Sequence, residues 1–463
     1  MTPQAQLVMQ AWLPVVLCLF KVFPPQRAVV ISFTFSWLFL PQKVIFMFPG
    51  LPEYDRISAT CYSILIATCI FDFKRFSSFK FGWLDIPMLM WCVSPFISSM
   101  TNGLGLYDGV SAILNRTMQY GVPYFLGRIY LNDLKGIREL VMGIFVGGLI
   151  YAPLCLFESV MSPQLHRMVY GYHGIREFLQ SVRLGGFRPN VFMRHGLSVG
   201  MWMMAALLVA FWLWQSGALK TFWNIPMSWI VAGLYITHIL VRSTGAYVYM
   251  LYGLVILFTA KWFRTALPLT ILISALSFYL FLGVTGNFTG EQADQIISVA
   301  TDIAGEDRAQ SLAFRFDHEE GLVEKARERI IFGWGGWGRN RVFDYNWAGE
   351  LVDVSVTDSL WVIAYGVNGV VGLAGVFGSI FLPAVSFTLI RYPASTWFNP
   401  KVAPAAVLVV ITVLYALDCC LNNQFNPVFT LATGGLAGLC LKKPEPIRRT
   451  LKSAKHSRKL SAT

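Results

Sequence analysis

Charge is what this sequence has least of. Asp, Glu, Lys and Arg make up 13% of its 463 residues, where a soluble chain carries about 25%. A depletion of that size excludes an ordinary water-soluble globule. Its eight cysteines (Cys18, Cys61, Cys69, Cys92, Cys155, Cys419, Cys420 and Cys440) include no Cys-x-x-Cys pair. They all lie in or beside apolar runs, so they read as small packing residues rather than as a metal site or a disulfide framework. Met1 to Gln10 holds no basic residue and no small-residue cleavage site follows the first apolar run, so that run is expected to be a retained span rather than a cleaved leader. No internal repeat and no low-complexity segment is visible.

What the sequence has instead is apolar runs, 55% of the residues being hydrophobic. A helix needs about 20 such residues to cross about 30 Å of hydrocarbon. Twelve or thirteen runs qualify if short ones are counted: 8–22, 27–42, 57–72, 83–99, 109–127, 138–157, 196–214, 226–241, 244–260, 265–284, 368–390, 402–418 and 426–441. The expected fold is an all-α polytopic membrane protein. Its segments are helices over 1–284, a large, mainly helical loop over 285–357, further helices over 358–441 and a basic tail over 442–463.

The connections alternate in charge. Lys74/Arg75/Lys80, Arg128/Lys135/Arg138, Lys220, Lys261/Arg264, Arg391 and the tail fall on one side, which the positive-inside rule makes cytoplasmic. The segments 98–107, 161–195, the Arg242 turn, 285–357 and 418–426 fall on the other. The net charge of +12 is largely the tail, which has eight Lys and Arg from Lys442 to Lys459 against Glu445. Such a block beside a final span is an anchor on anionic lipid rather than a nucleic-acid site.

Two outer segments could carry chemistry. Segment 161–195 is rich in arginine (Arg167, Arg176, Arg183, Arg188, Arg194) against Glu177, contrary to the charge rule for a translocated loop. Arginine grips phosphate with paired donors, so Arg183, Arg188 and Arg194 could hold a lipid pyrophosphate; the alternative is that they snorkel to headgroups. Arg242 opens a small-residue turn, Ser243-Thr244-Gly245-Ala246. Arg116, inside a span, should face a partner or a cavity, with Glu158 and Asp418 as conceivable partners. In the large loop, a helical stretch over 309–329 carries Leu312, Phe316, Leu322, Val323 and Ala326 on one side. It leads to Phe332-Gly-Trp334-Gly-Gly-Trp337-Gly338, which lacks the Gly-Lys-Ser/Thr of a phosphate loop. Close backbone approach suits this run better, with Trp334 and Trp337 as interfacial anchors or sugar-stacking rings. Asp358, where the chain returns to the membrane, could be a general base or a helix cap.

In order, Arg183-x-x-Gly-Phe187, Ser243-x-Gly-Ala246, Ser311-Leu-Ala-Phe-Arg315, Phe332-Gly-Trp-Gly-Gly and Asp358-Ser359-x9-Gly369-x-x-Gly372 resemble the O-antigen polymerase/ligase family of bacterial membrane glycosyltransferases. The resemblance covers about residues 183–390. Two places depart from the family: Asp358 stands where ligases have His, and Thr244 stands where Arg often precedes the Gly-Ala turn. The resemblance implies a GT-C-like fold in a bacterial inner membrane, and inverting transfer from an undecaprenyl-pyrophosphate-linked glycan without metal or cofactor. Asp358, Arg315 and Arg242 would be catalytic, and Arg183, Arg188, Arg194, Trp334 and Trp337 would bind substrate. A chain-length regulator or other polysaccharide-assembly protein would be the partner. A ligase acting on a lipid or protein acceptor and a transporter of lipid-linked sugar are the rival readings.

Overall fold

The computed structural model describes residues 2–47, 52–174, 178–287, 294–295, 297–298, 301–302, 306–355 and 359–444. Each of the thirteen expected spans coincides with a helix. These are α1 (Pro3–Val22), α2 (Pro25–Phe39), α3 (Arg56–Phe71), α4 (Ile86–Thr101), α5 (Leu106–Arg116) running through a π-helical turn into α6 (Val122–Tyr130), and α7 (Leu134–Met161). The short α8 (Leu165–Tyr170) precedes α9 (Gly196–Gln215), α10 (Met227–Leu240), α11 (Thr244–Phe263) and α12 (Leu267–Thr285). After the loop helix α13 (Glu306–Arg327) come α14 (Leu360–Val385), α15 (Ala403–Leu421) and α16 (Pro427–Leu441). Among the described residues, seven helices are long and apolar enough to cross a membrane, and three more are apolar but shorter. The chain is an all-α polytopic membrane protein; its described strands form three two-stranded hairpins.

The connections sort into two ends. At the end bearing Lys442, Arg391 Nε donates to the Cys440 carbonyl (2.7 Å) and Lys442 to Asn132 (2.6 Å). There too Arg128 pairs with Asp85 at 2.6 Å, both side chains nearly excluded from solvent, and Arg27 pairs with Glu139 at 2.9 Å. The long connections share the opposite end. Gln42 donates to the Phe192 carbonyl (2.7 Å), Arg242 to that of Phe187 (2.7 Å) and Asn102 to that of Gly333 (2.8 Å). These are the two sets that charge alternation separates; we call them the tail end and the loop end.

Segment 161–195 is pinned from below by Glu158, the fully buried acid near the loop end of α7. Its carboxylate accepts the backbone N–H of Leu165 (2.8 Å), Asn190 (2.9 Å) and Val191 (2.7 Å). Glu158 is therefore no partner for Arg116. Neither is Asp418, which accepts from the Tyr249 hydroxyl (3.2 Å) and the Asn422 amide (2.9 Å).

The segment expected as a simple span over 368–390 is a helical hairpin. A straight helix would set Leu360 and Val376 about 24 Å apart, yet both line one small apolar cavity with Ile380, Tyr415 and Phe429. The chain reverses at Gly369, whose φ of 64° and ψ of −164° belong to a region essentially restricted to glycine. Before the reversal, Trp361 packs on Gly283 and the Tyr365 hydroxyl approaches the Val284 carbonyl, so the first arm rises toward the loop end beside α12. After it, Gly375 packs on Trp91 and Gly378 on Pro87, so the second arm descends along α4. That second arm holds about 22 residues, or roughly 33 Å, and crosses the membrane unaided. The first arm is an added piece, and its N-cap position is Ser359.

A reversal of this kind leaves helix-end groups without partners. The glycine-tryptophan run supplies them. Trp334 and Gly335 donate N–H to the carbonyls of Gly366 and Val367 (2.9 Å each), which end the first arm. Val370 and Val371, which begin the second, donate to the carbonyls of Ile330 (2.8 Å) and Ile331 (3.3 Å). A Cβ on Gly333 would lie 2.5 Å from the Val367 backbone, so the two backbones meet only because the side chain is missing. Ser98 holds the same loop through the Phe332 carbonyl, and Arg339 binds the Asn102 carbonyl (3.1 Å). Close backbone approach, expected from the glycines, is what the loop provides.

Candidate functional site

The arginine-rich segment folds at the loop end into a tight hairpin. Val182–Arg183 pairs with Gly186–Phe187 across Leu184 and Gly185, both at positive φ, the backbone of a two-residue hairpin turn. The Arg242 guanidinium lies against Gly186, where any Cβ would collide with it, and Nη1 donates to the Phe187 carbonyl at 2.7 Å. Arg242 itself has φ 52° and ends α10, so a left-handed residue directs its side chain back over the hairpin.

Arg188 follows the hairpin directly. Its N–H donates to the Ser181 carbonyl at 2.6 Å, and its methylenes pack on Gly196 at the start of α9, leaving the residue 4% exposed. Two cations thus converge where α9, α10 and α11 meet, on a scaffold of glycines that lets helix and hairpin touch. Such a pair can hold an anion that brings more than one negative charge. Arg183 and Arg194 stand apart from it, since both are exposed, and Arg194 lies within reach of Arg56.

The remaining expected residues divide. Trp334 donates from Nε1 to the Lys325 carbonyl (2.7 Å), and the Lys325 ammonium sits 4.2 Å from its ring centre. That ring is used for packing, whereas Trp337 is 81% exposed. Asp358 and the side chain of Arg315 lie outside the described residues.

Sequence reasoning missed two groups. Glu319 of α13 accepts from the Ser359 hydroxyl (2.8 Å) and from Tyr279 (2.9 Å), which fastens the loop helix to the foot of the hairpin. The signal was its register: Glu319, Val323 and Ala326 share one helical face, and a carboxylate on the packed face asks for partners. The second is the non-helical run Asn422–Asn426 between α15 and α16. Gln424 bonds Ser198 at the start of α9, Phe425 packs on Tyr120 (ring centres 4.3 Å apart), and Asn426 N donates to the Tyr415 hydroxyl (3.1 Å). Polar backbone amid apolar helices is tolerated where it is buried in protein or lines a cavity, which marks this run as part of the loop-end machinery.

Compared with known proteins, the chain matches no family model and no curated protein sequence.

Proposed function

We propose that this protein is a polymerase-type glycosyltransferase of GT-C-like architecture in a bacterial inner membrane. It would join lipid-linked oligosaccharide units of the undecaprenyl-pyrophosphate type at the loop end, taken as extracytoplasmic, with the basic tail in the cytoplasm. The observation that supports it is that Arg242 and Arg188 are both held at one hairpin, against Gly186 and Gly196 respectively.

The chemistry requires little more than charge and alignment. An acceptor sugar hydroxyl attacks the anomeric carbon, the bond from that carbon to the pyrophosphate oxygen breaks, and undecaprenyl pyrophosphate departs with the bonding pair. The configuration inverts and the hydroxyl proton passes to a carboxylate, assigned by resemblance to Asp358. Arg188, Arg242 and, by resemblance, Arg315 would stabilise the charge that grows on the departing pyrophosphate. Removing one such donor costs about 3–4 kcal/mol in comparable sites. The test is polymer made by the purified protein from lipid-linked repeat units: Arg188→Ala and Arg242→Ala should each insert normally and lose most product. Normal polymer length from both would overturn the reading. Transfer of a finished glycan to a lipid or protein acceptor in the same assay would instead make the protein a ligase built on the same residues.

One observation favours a transporter, since a broken helix is a mark of that class. Transporter breaks lie near the bilayer midplane, however, whereas here the second arm crosses the membrane whole and the reversal lies level with the loop-end turn of α4. Flux of labelled lipid-linked substrate into proteoliposomes, without covalent change, would establish transport.

A further inference from the structure

Arg116 is a cation roughly 15 Å along α5 from its loop end, where an unpaired charge is expensive. It is placed with care. The guanidinium lies 3.8 Å from the centre of the Trp91 ring and 5.7 Å from that of Tyr120, and a π-helical turn over Thr117–Gly121 begins directly after it. Among the described residues no carboxylate pairs with it; its hydrogen bond is to Asn368 Oδ1 at the hairpin tip, at a long 3.5 Å. The Trp91 indole N–H beneath finds no acceptor among the described residues either. Donors are in surplus at this point.

Arg116 faces a cavity of about 180 Å³, formed between α4, α5, the glycine loop and the hairpin tip and shared with Asn115, Gln119, Ser99, Asn368 and Gly335. At roughly 30 Å³ per water, this is room for about six, enough for a carboxylate or phosphoryl group. With one face of the guanidinium covered by Trp91, its N–H edge is left for paired hydrogen bonds to an oxyanion. The other named side chains are neutral, so the site balances a single negative charge. A pyrophosphate would remain undercompensated here.

We propose that the Arg116 cavity is a second anion site, distinct from the Arg188–Arg242 pair, which binds a singly charged oxyanion on the guanidinium edge. That chemistry has two sources, the carboxylate of an acidic sugar and the phosphodiester of a lipid headgroup. The proposal does not depend on glycosyl transfer.

The experiment uses the full chain. Thermal unfolding in neutral detergent is followed with sodium glucuronate against glucose, and in nanodiscs of phosphatidylglycerol against phosphatidylcholine. One of the two anions should raise Tm saturably over its neutral control, and which one does so identifies the source. Arg116→Gln should weaken that binding at least tenfold. Gln119→Glu, which supplies an internal carboxylate to Arg116, should weaken it similarly while folding at least as well as the parent, so the test survives if Arg116→Gln fails to fold. No response to either anion, or an undiminished response in Gln119→Glu, would overturn the proposal.

Discussion

The Ser359 hydroxyl donates to Glu319 Oε1 at 2.8 Å, joining residues forty positions apart at the foot of the helical hairpin. With the Tyr279 hydroxyl on the other oxygen at 2.9 Å, the carboxylate ties three elements together: the loop helix, the last helix before the loop and the first arm after it. Asp358 precedes Ser359 in the chain, so the carboxylate proposed as base is tethered to whatever fixes Glu319. Glu319→Ala should loosen α13 and raise backbone amide exchange over 319–327, with α4 and α9 unaffected. Exchange confined to parental levels in that stretch would show that the tether is dispensable.

Gly369→Ala should destabilise the protein. The reversal needs a backbone conformation that side chains avoid, at a cost of about 1–3 kcal/mol, and the new Cβ would press on Ile331 and the Phe332 nitrogen. The expected result is a lower Tm in detergent, with Gly103→Ala as a control for positive φ alone, because a Cβ there meets nothing within 4 Å.

Arg183→Ala should be far milder than Arg188→Ala or Arg242→Ala. The first residue is exposed at the hairpin, whereas the other two are held against Gly196 and Gly186. Product yield should fall about a hundredfold or more for each held arginine, the scale of losing one charge-stabilising donor. Equal losses in all three would show that the segment acts as a diffuse basic surface.

Much of the fold was legible because a bilayer leaves few choices. All thirteen apolar runs fall on helices, one of them on two helices joined by a π-helical turn, and charge alternation grouped the connections that now meet. The hairpin at Gly369 was not legible, since Leu360 to Val385 is apolar but for Asn368 and Ser379 and periodicity cannot register a reversal within one such run. Its markers were Asn368 and Gly369, with Gly333 as the distant counterpart. Arg116 was recognisable as a residue in need of a cavity. Its stacking on Trp91 was not, because helices four and five adjoin in sequence without revealing which faces meet.

Asp85→Ala should cost about 3–5 kcal/mol, the usual penalty for stranding one partner of a buried ion pair. Arg128 binds both Asp85 oxygens, at 2.6 and 3.0 Å, and would be left buried at the tail end with the Lys80 carbonyl as acceptor but no counter-charge. Chemical denaturation in mixed micelles measures the loss; a change under about 1 kcal/mol would show that the pair is replaceable.

Acid should weaken the loop end through His166. Its Nε2 accepts the Gln42 N–H at 3.2 Å and its Nδ1 meets the Tyr172 carbonyl at 2.8 Å, a set that suits the neutral ring. Burial first, and nearby Lys43, His173 and Arg56, hold its pKa below the ordinary value of about 6.5. The unfolded chain therefore binds the proton more readily, and stability is lost as pH falls below about 6.5. Tm should drop between pH 7 and 5, and the drop should shrink in His166→Asn. An identical pH profile in that variant would assign the effect to other groups.

The hairpin also bears on how the protein is made. Its 32 residues, Leu360–Arg391, leave the ribosome as one predominantly hydrophobic segment, with only Asn368 and Gly369 to mark where it turns. The partners that satisfy the turn lie in a loop synthesised earlier. That loop must already be in place at the loop end when this segment arrives, and the glycine run would then act as an assembly template that converts an inserted stem into a folded hairpin. A chain from which residues 332–338 are deleted should leave the segment as a single tilted crossing, with membrane integration intact and the loop-end architecture lost.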